Sequence, residues 1–105
     1  MADSLEDLGS LLKAFARARD WEQFHTPKNL AMAMAVEAAE IMEHFQWKTP
    51  EQSMSLDAKE HREVALELAD VFIYLMRLAQ ELDVDLVAVA NEKMAINEER
   101  FPAGD

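Results

Sequence analysis

Glu37 and Glu40, and later Glu67 and Asp70, form two acid pairs at i, i+3 spacing, each set in an apolar stretch. From Leu30 to Trp47 the chain is mostly Ala, Met, Val, Ile and Phe, and its charged exceptions are Glu37, Glu40 and Glu43, with His44 beside them. A helix that is apolar all round is normally buried. A buried carboxylate must be paired or must hold a metal, because an isolated charge is too costly to desolvate. Residues three apart share a helix face, so the members of each pair point together. Between Glu40 and Glu67 lie 26 residues, enough for the rest of one helix, a loop and an antiparallel return. Four converging carboxylates repel one another and raise one another's pKa, and a cation removes that cost. Oxygen ligands without Cys favour Mg²⁺, or Mn²⁺ in its place, over Zn²⁺. Mg²⁺ keeps several waters and binds phosphates, so the matching ligand is a nucleoside polyphosphate.

The alternative is that these acids are solvated helix-face charges. A single E-x-x-E carries little information; two such pairs in apolar surroundings are more specific. Glu40 and Glu43 make a further E-x-x-E, and Glu63 lies one turn before Glu67, where a surface role is expected. A ferritin-like di-iron bundle requires Glu-x-x-His on two helices. His44 is four residues after Glu40 and His61 directly follows Glu60, so that pattern is missing.

The elements that must position these acids are helices. The chain has 105 residues, half of them hydrophobic, with two Gly and three Pro, which suits a single α-helical domain over 1–105. There is no Cys, so disulfides and thiolate metal sites are excluded; this fits a reducing compartment. The first ten residues are acidic and have no apolar core, unlike a signal peptide, and no run of 18 apolar residues offers a membrane span. A cytoplasmic location is expected. The net charge of −11 argues against binding a nucleic-acid polymer, which needs clustered Lys and Arg.

Four main helices and no strands are predicted. The first runs from about Leu5 to Asp20, with Ser4 as N-cap and Leu5, Leu8, Leu12 and Phe15 on one face. The second starts at Thr26-Pro27 and ends near Trp47, before Thr49-Pro50, which can open a short helical turn. The third runs from about Leu56 or Asp57 to Leu82, exposed over Asp57–Glu63 and apolar over Val64–Ala79. Asp83 is expected to cap the fourth, which reaches about Arg100. The second helix is too apolar for a four-helix monomer, so a covering subunit is expected, and a symmetric homo-oligomer is the common solution.

These residues resemble the all-α nucleoside triphosphate pyrophosphohydrolases of the MazG-like type, whose signature is E-x-x-E, a spacer, then E-x-x-D. Here it reads Glu37-Ala-Ala-Glu40 and Glu67-Leu-Ala-Asp70. The strings Arg19–His25, Phe45–Lys48 and Asp70–Leu75, and the pattern Lys93-Met94-x-x-Asn97-x-x-Arg100-Phe101-Pro102, are similar to the dCTP pyrophosphatase branch. The resemblance covers nearly the whole chain. It implies a four-helix bundle of the MazG-like type with helices packed between subunits, a tetramer rather than a dimer. It also implies cleavage of a nucleotide between the α and β phosphates, with Mg²⁺ held by Glu37, Glu40, Glu67 and Asp70. One of these, or a nearby acid, would take the proton of the attacking water, and Glu40 is the first choice.

The resemblance further implies that Lys93, Asn97 and Arg100 contact phosphate or sugar. Read alone, they are a solvated helix end whose cations suit the dipole. It makes Trp21, His25, Trp47 and Tyr74 a base pocket with Phe24, since aromatic faces stack on bases, and lets Asn29 read a base edge. Aromatics at helix ends also serve as plain packing, and Phe24 and Phe45 suit that role. One departure bears on specificity. Where several members have a His on the first helix, nine residues before the Trp, this chain has Leu12. The substrate implied is dCTP or a 5-modified dCTP. The rivals are dUTP or a broad nucleotide range, and a non-catalytic helical interaction module. His44 replaces what is usually an apolar residue and is given no role.

Overall fold

A computed structural model describes residues 4–104. It contains α1 (Leu5–Ala18), α2 (Pro27–Phe45), the single turn α3 (Pro50–Ser53), α4 (Ala58–Glu81) and α5 (Leu86–Arg100), and no strand among the described residues. Every helix starts by one device. A short polar side chain at the N-cap accepts from the backbone N–H three residues on, satisfying a donor that has no partner inside the helix. Ser4 accepts from Asp7 at 3.1 Å, Thr26 from Asn29 at 3.2 Å, Asp57 from Glu60 at 2.8 Å and Asp85 from Ala88 at 3.1 Å. At Thr49 the device is reciprocal: its hydroxyl accepts from Gln52 N–H and Gln52 Oε1 accepts from Thr49 N–H. Pro27 and Pro50 follow their caps, where the missing N–H costs nothing.

The helix ends correct several expectations. α1 stops at Ala18, short of Asp20, because Asp20 adopts the left-handed conformation at φ 57°. Trp21 N–H then reaches Ala16 O and Asp20 N–H reaches Arg17 O, closing a Schellman motif. α4 ends identically. Asp83 is left-handed at φ 54°, and Val84 and Asp83 donate to Ala79 O and Gln80 O. Asp83 therefore terminates α4 and does not cap α5; that role belongs to Asp85. α2 ends at Phe45, with Gln46 as its C-cap, so Trp47 lies outside it. The charged start of α4 is not wholly exposed: Glu60 is half-buried and its Oε1 pairs with Lys48 Nζ at 3.0 Å.

α2 packs antiparallel along α4, and α1 lies against α4 over a shorter stretch. At that second contact Gln80 Nε2 donates to Gly9 O at 2.7 Å. A Cβ on Gly9 would stand 3.2 Å from Gln80 Nε2 and 3.5 Å from Met76 Cε, so a bare backbone at Gly9 lets α1 approach. α5 has no comparable packing face on another helix and borders a groove of about 900 Å³ between α1, α4 and α5.

The core is thin. Its buried apolar residues are Ala16, Leu30, Val64, Met76 and Ala79, whereas Met32, Val36, Met42, Leu66, Leu68 and Val87 are exposed. The radius of gyration is 16.8 Å, against about 13 Å for a compact chain of this length. The accessible surface is 8273 Å², against roughly 6,000 Å² for a folded monomer of this mass. The helical class is as the sequence predicts; the chain on its own does not bury its apolar faces.

Candidate active site

Glu67, Asp70, Tyr74 and Arg77 recur at i, i+3, i+7 and i+10 along one stripe of α4. Facing them on α2 are Glu37, Glu40 and His44, at i, i+3 and i+7. Antiparallel packing brings the two stripes together. Glu37 and Asp70 line one cavity of about 280 Å³, shared with Leu12, Phe15 and Ala16 of α1, Trp21 and His25 of the following loop, and Ile73, Tyr74 and Arg77 of α4. Acids expected at a cation and aromatics expected at a base thus form one concave surface.

The aromatic wall is built locally. The Schellman turn at Asp20 sends Trp21 back over α1, where its ring meets Phe15 at 5.6 Å in a T-shaped arrangement. The His25 imidazole lies 6.1 Å from the Trp21 ring. Behind Phe15, the Arg19 guanidinium sits 3.4 Å over the ring, a cation–π contact that backs the wall.

The acidic wall is under electrostatic load. The Glu37 carboxyl is pushed above the usual carboxylate range, first by burial, then by the adjoining Glu40 carboxyl, then by the charges of Asp70 and Glu67. Oxygen Oε2 of Glu37 and Oε2 of Glu67 are both buried without a hydrogen-bond partner among the described residues. His44 Nε2 stands 2.9 Å from Glu67 Oε2, a close approach off the hydrogen-bond line, and His44 Nδ1 is 3.6 Å from Glu60. As they stand, no three acid or imidazole groups among the described residues close round a single point to hold an ion. The donor chemistry still fits a hard divalent cation: a buried Glu37 oxygen with no partner, a buried Glu67 oxygen approached only by an imidazole nitrogen off the hydrogen-bond line, and a mutually repelling acid set are what such an ion relieves.

Arg77 was not singled out from the sequence and is the most constrained polar residue of the site, 2% exposed. Its Nε donates to His25 Nδ1 at 3.3 Å, one terminal nitrogen to Gln80 Oε1 at 2.6 Å and the other to Glu81 Oε1 at 2.8 Å. A local signal existed: a lone cation inside the apolar half of the helix, with Gln80 and Glu81 at i+3 and i+4. The His25 pKa is lowered by burial first and by the Arg77 charge next, with Glu81 opposing.

Of the residues expected at the base, Trp21, His25 and Tyr74 line this cavity, as does Leu12. Trp47 does not. It is 88% exposed and borders a separate cleft with Glu43, His44, Lys48 and Glu60, because α2 ends before it and the chain turns away. Asn29 is committed to the loop, its Nδ2 donating to Phe24 O at 3.0 Å, and Phe24 is exposed. Lys93, Asn97 and Arg100 lie along α5, which packs on neither α2 nor α4 to a comparable extent, and none of them lines the cavity. The Arg100 guanidinium instead sits 5.1 Å from the Phe101 ring. No described helix is long and apolar enough to cross a membrane.

The chain is 44% identical to dCTP pyrophosphatase 1 of Homo sapiens over 95% of its length and 43% identical to dCTP pyrophosphatase 1 of Rattus norvegicus over 94%. It spans about 60% of the length of these relatives. A crystal structure of a pyrophosphatase from Archaeoglobus fulgidus superposes with a TM-score of 0.90 at 34% identity, covering 98% of this chain and 96% of that one. The MazG-like family model matches residues 32–105, which contain both acid pairs and all of α4 and α5. The chain belongs to the MazG-like family.

Proposed function

We propose that the protein is a Mg²⁺-dependent nucleoside triphosphate pyrophosphohydrolase of the cytoplasm, acting on dCTP or a 5-modified dCTP and releasing the monophosphate and pyrophosphate. The observation that carries this reading is the single cavity in which Trp21, His25 and Tyr74 adjoin Glu37 and Asp70. The names of the relatives and of the superposed pyrophosphatase support the same chemistry.

In this reading Glu37, Glu40, Glu67 and Asp70 hold Mg²⁺, or Mn²⁺ in its place. When bound there, such an ion would supply charge neutralisation for the phosphates, polarisation of the α-phosphorus and a lowered pKa for water. Glu40, half-buried one helical turn from Glu37, accepts the proton of the water that attacks the α-phosphorus while pyrophosphate leaves. Trp21 and Tyr74 supply ring faces for the base. Lys93, Asn97 and Arg100 serve the phosphates of a site across a subunit boundary. A homo-oligomer, a tetramer rather than a dimer, covers the open groove beside α5 and the exposed apolar residues of α2 and α4.

Leu12 on the cavity wall is the residue through which base preference would differ from that of relatives. The experiment is product analysis after incubating the protein with each dNTP and NTP, with Mg²⁺ and with EDTA. Mg²⁺-dependent monophosphate and pyrophosphate, greatest with dCTP, is the expected result. The same products from another nucleotide would move the specificity and keep the reaction. No turnover with any nucleotide would favour a non-catalytic helical module.

A further inference from the structure

Arg77 is 2% exposed, and all three nitrogens of its guanidinium donate to identified partners: His25, Gln80 and Glu81. Gln80 is itself anchored, donating to Gly9 O of α1 at 2.7 Å. The guanidinium therefore cannot rotate without breaking a path of hydrogen bonds that runs from α1 through α4 to the cavity. An arginine keeps its protons at any physiological pH, so its Nε is always a donor. The nitrogen that faces it, His25 Nδ1, must then be an acceptor and carry no proton. A neutral imidazole without a proton on Nδ1 carries it on Nε2. The hydrogen bond to Arg77 occupies Nδ1, which leaves Nε2 for the cavity that His25 lines.

We propose that Arg77 is a positioning residue that fixes His25 as its Nε2–H tautomer, making His25 a hydrogen-bond donor to an acceptor atom on the base of the nucleotide bound against Trp21 and Tyr74. The ligand part of this statement rests on the function proposed above; the tautomer does not. The arrangement rewards a carbonyl oxygen or an unprotonated ring nitrogen and rejects a base N–H at the same place, because two facing donors leave a buried group unsatisfied. Lysine cannot substitute, since three partners are held in one plane by a rigid fork. Burial and the Arg77 charge both lower the His25 pKa, consistent with a ring kept neutral.

The test has two readouts. The first is the ¹⁵N spectrum of protein labelled at histidine, with the His25 signals identified by their loss in His25→Gln. The expected result in the unsubstituted protein is an unprotonated Nδ1 and a protonated Nε2. A protonated Nδ1, or rapid exchange between tautomers, overturns the proposal without any Arg77 variant. The second readout is kinetics of dCTP hydrolysis. Arg77→Met should raise KM about tenfold with kcat changed less than about threefold, and should release the tautomer into exchange. Arg77→Lys should behave like Arg77→Met; a wild-type KM in Arg77→Lys would reduce Arg77 to a point charge and overturn the positioning role. An unchanged KM and tautomer in Arg77→Met would do the same. If the unsubstituted protein hydrolyses no nucleotide, the functional reading fails, and the nitrogen spectra of the unsubstituted protein and Arg77→Met alone decide the tautomer.

Discussion

His44 Nε2 and Glu67 Oε2 approach to 2.9 Å across the α2–α4 interface, while the other ring nitrogen of His44 faces Glu60 at 3.6 Å. The imidazole is thus wedged between two carboxylates of α4, one of them a candidate metal ligand. A group behind a ligating carboxylate fixes its orientation, and losing such a partner typically costs about 10–100-fold in metal affinity or activity. His44→Leu should raise the Mg²⁺ concentration for half-maximal activity by about tenfold, measured by Mg²⁺ titration at saturating nucleotide. An unchanged titration would make the contact packing alone.

Glu37 carries an electrostatic load that its site needs and its fold does not. Its pKa lies above the usual range, so at neutral pH its charge weighs against the folded state. In EDTA, Glu37→Gln should melt a few degrees above the unsubstituted protein. With Mg²⁺ present, the unsubstituted protein should gain stability and the variant should not, and hydrolysis should fall about a hundredfold or more. Calorimetry with and without Mg²⁺ checks both halves; a variant that melts lower in EDTA would contradict the first.

His25 links stability to pH with the opposite sign. Its folded pKa is lowered from 6.5, so below that value the unfolded chain binds more protons than the folded one. The contribution is present above about pH 6.5 and is lost as pH falls through the folded pKa. Between pH 7.5 and pH 5.5 the unsubstituted protein should therefore lose more thermal stability than His25→Gln, which cannot titrate. Parallel melting curves for the two proteins would show that His25 does not contribute.

Asp83 sits at φ 54° where a glycine is the usual occupant. Asp83→Gly should stabilise by about 0.5–1 kcal/mol, since it removes the steric cost of a left-handed residue with a side chain. Asp20→Gly should gain less, because the Asp20 carboxylate accepts a bond from Gln23 Nε2 at 3.2 Å that would be lost. Denaturant unfolding of the two variants at one protein concentration checks the ranking.

The beginnings of the helices are legible in the sequence because each is set by a contact three residues away, as Thr26 with Asn29 and Asp57 with Glu60 show. Two of the helix ends are harder to read. They rest on Asp20 and Asp83 entering a conformation that glycine would have advertised. The acid stripe on α4 is visible because Glu67 and Asp70 share a turn; its pairing with Glu37 needs only the antiparallel return. Only the local half of the Arg77 network, Gln80 and Glu81, is visible; the rest is not, since His25 lies 52 residues from Arg77 and Gly9 lies 71 residues from Gln80. Trp47 and Tyr74 look alike as aromatics on apolar helices. Only the path of the chain after Phe45 separates them, sending Trp47 to another cleft.

The Gly9–Gln80–Arg77–His25 path gives α1 a standing beyond architecture. α1 supplies Leu12, Phe15 and Ala16 to the cavity, yet its main neighbour is α4 alone, over a short contact. Seating of α1 and occupancy of the cavity are therefore one thermodynamic cycle: whatever a ligand gains from a closed wall, the seated helix gains from the ligand, by the same factor. A change that loosens the seating of α1, away from Glu37, Glu40, Glu67 and Asp70, will register as altered affinity, and a bound nucleotide will register as slower amide exchange along α1.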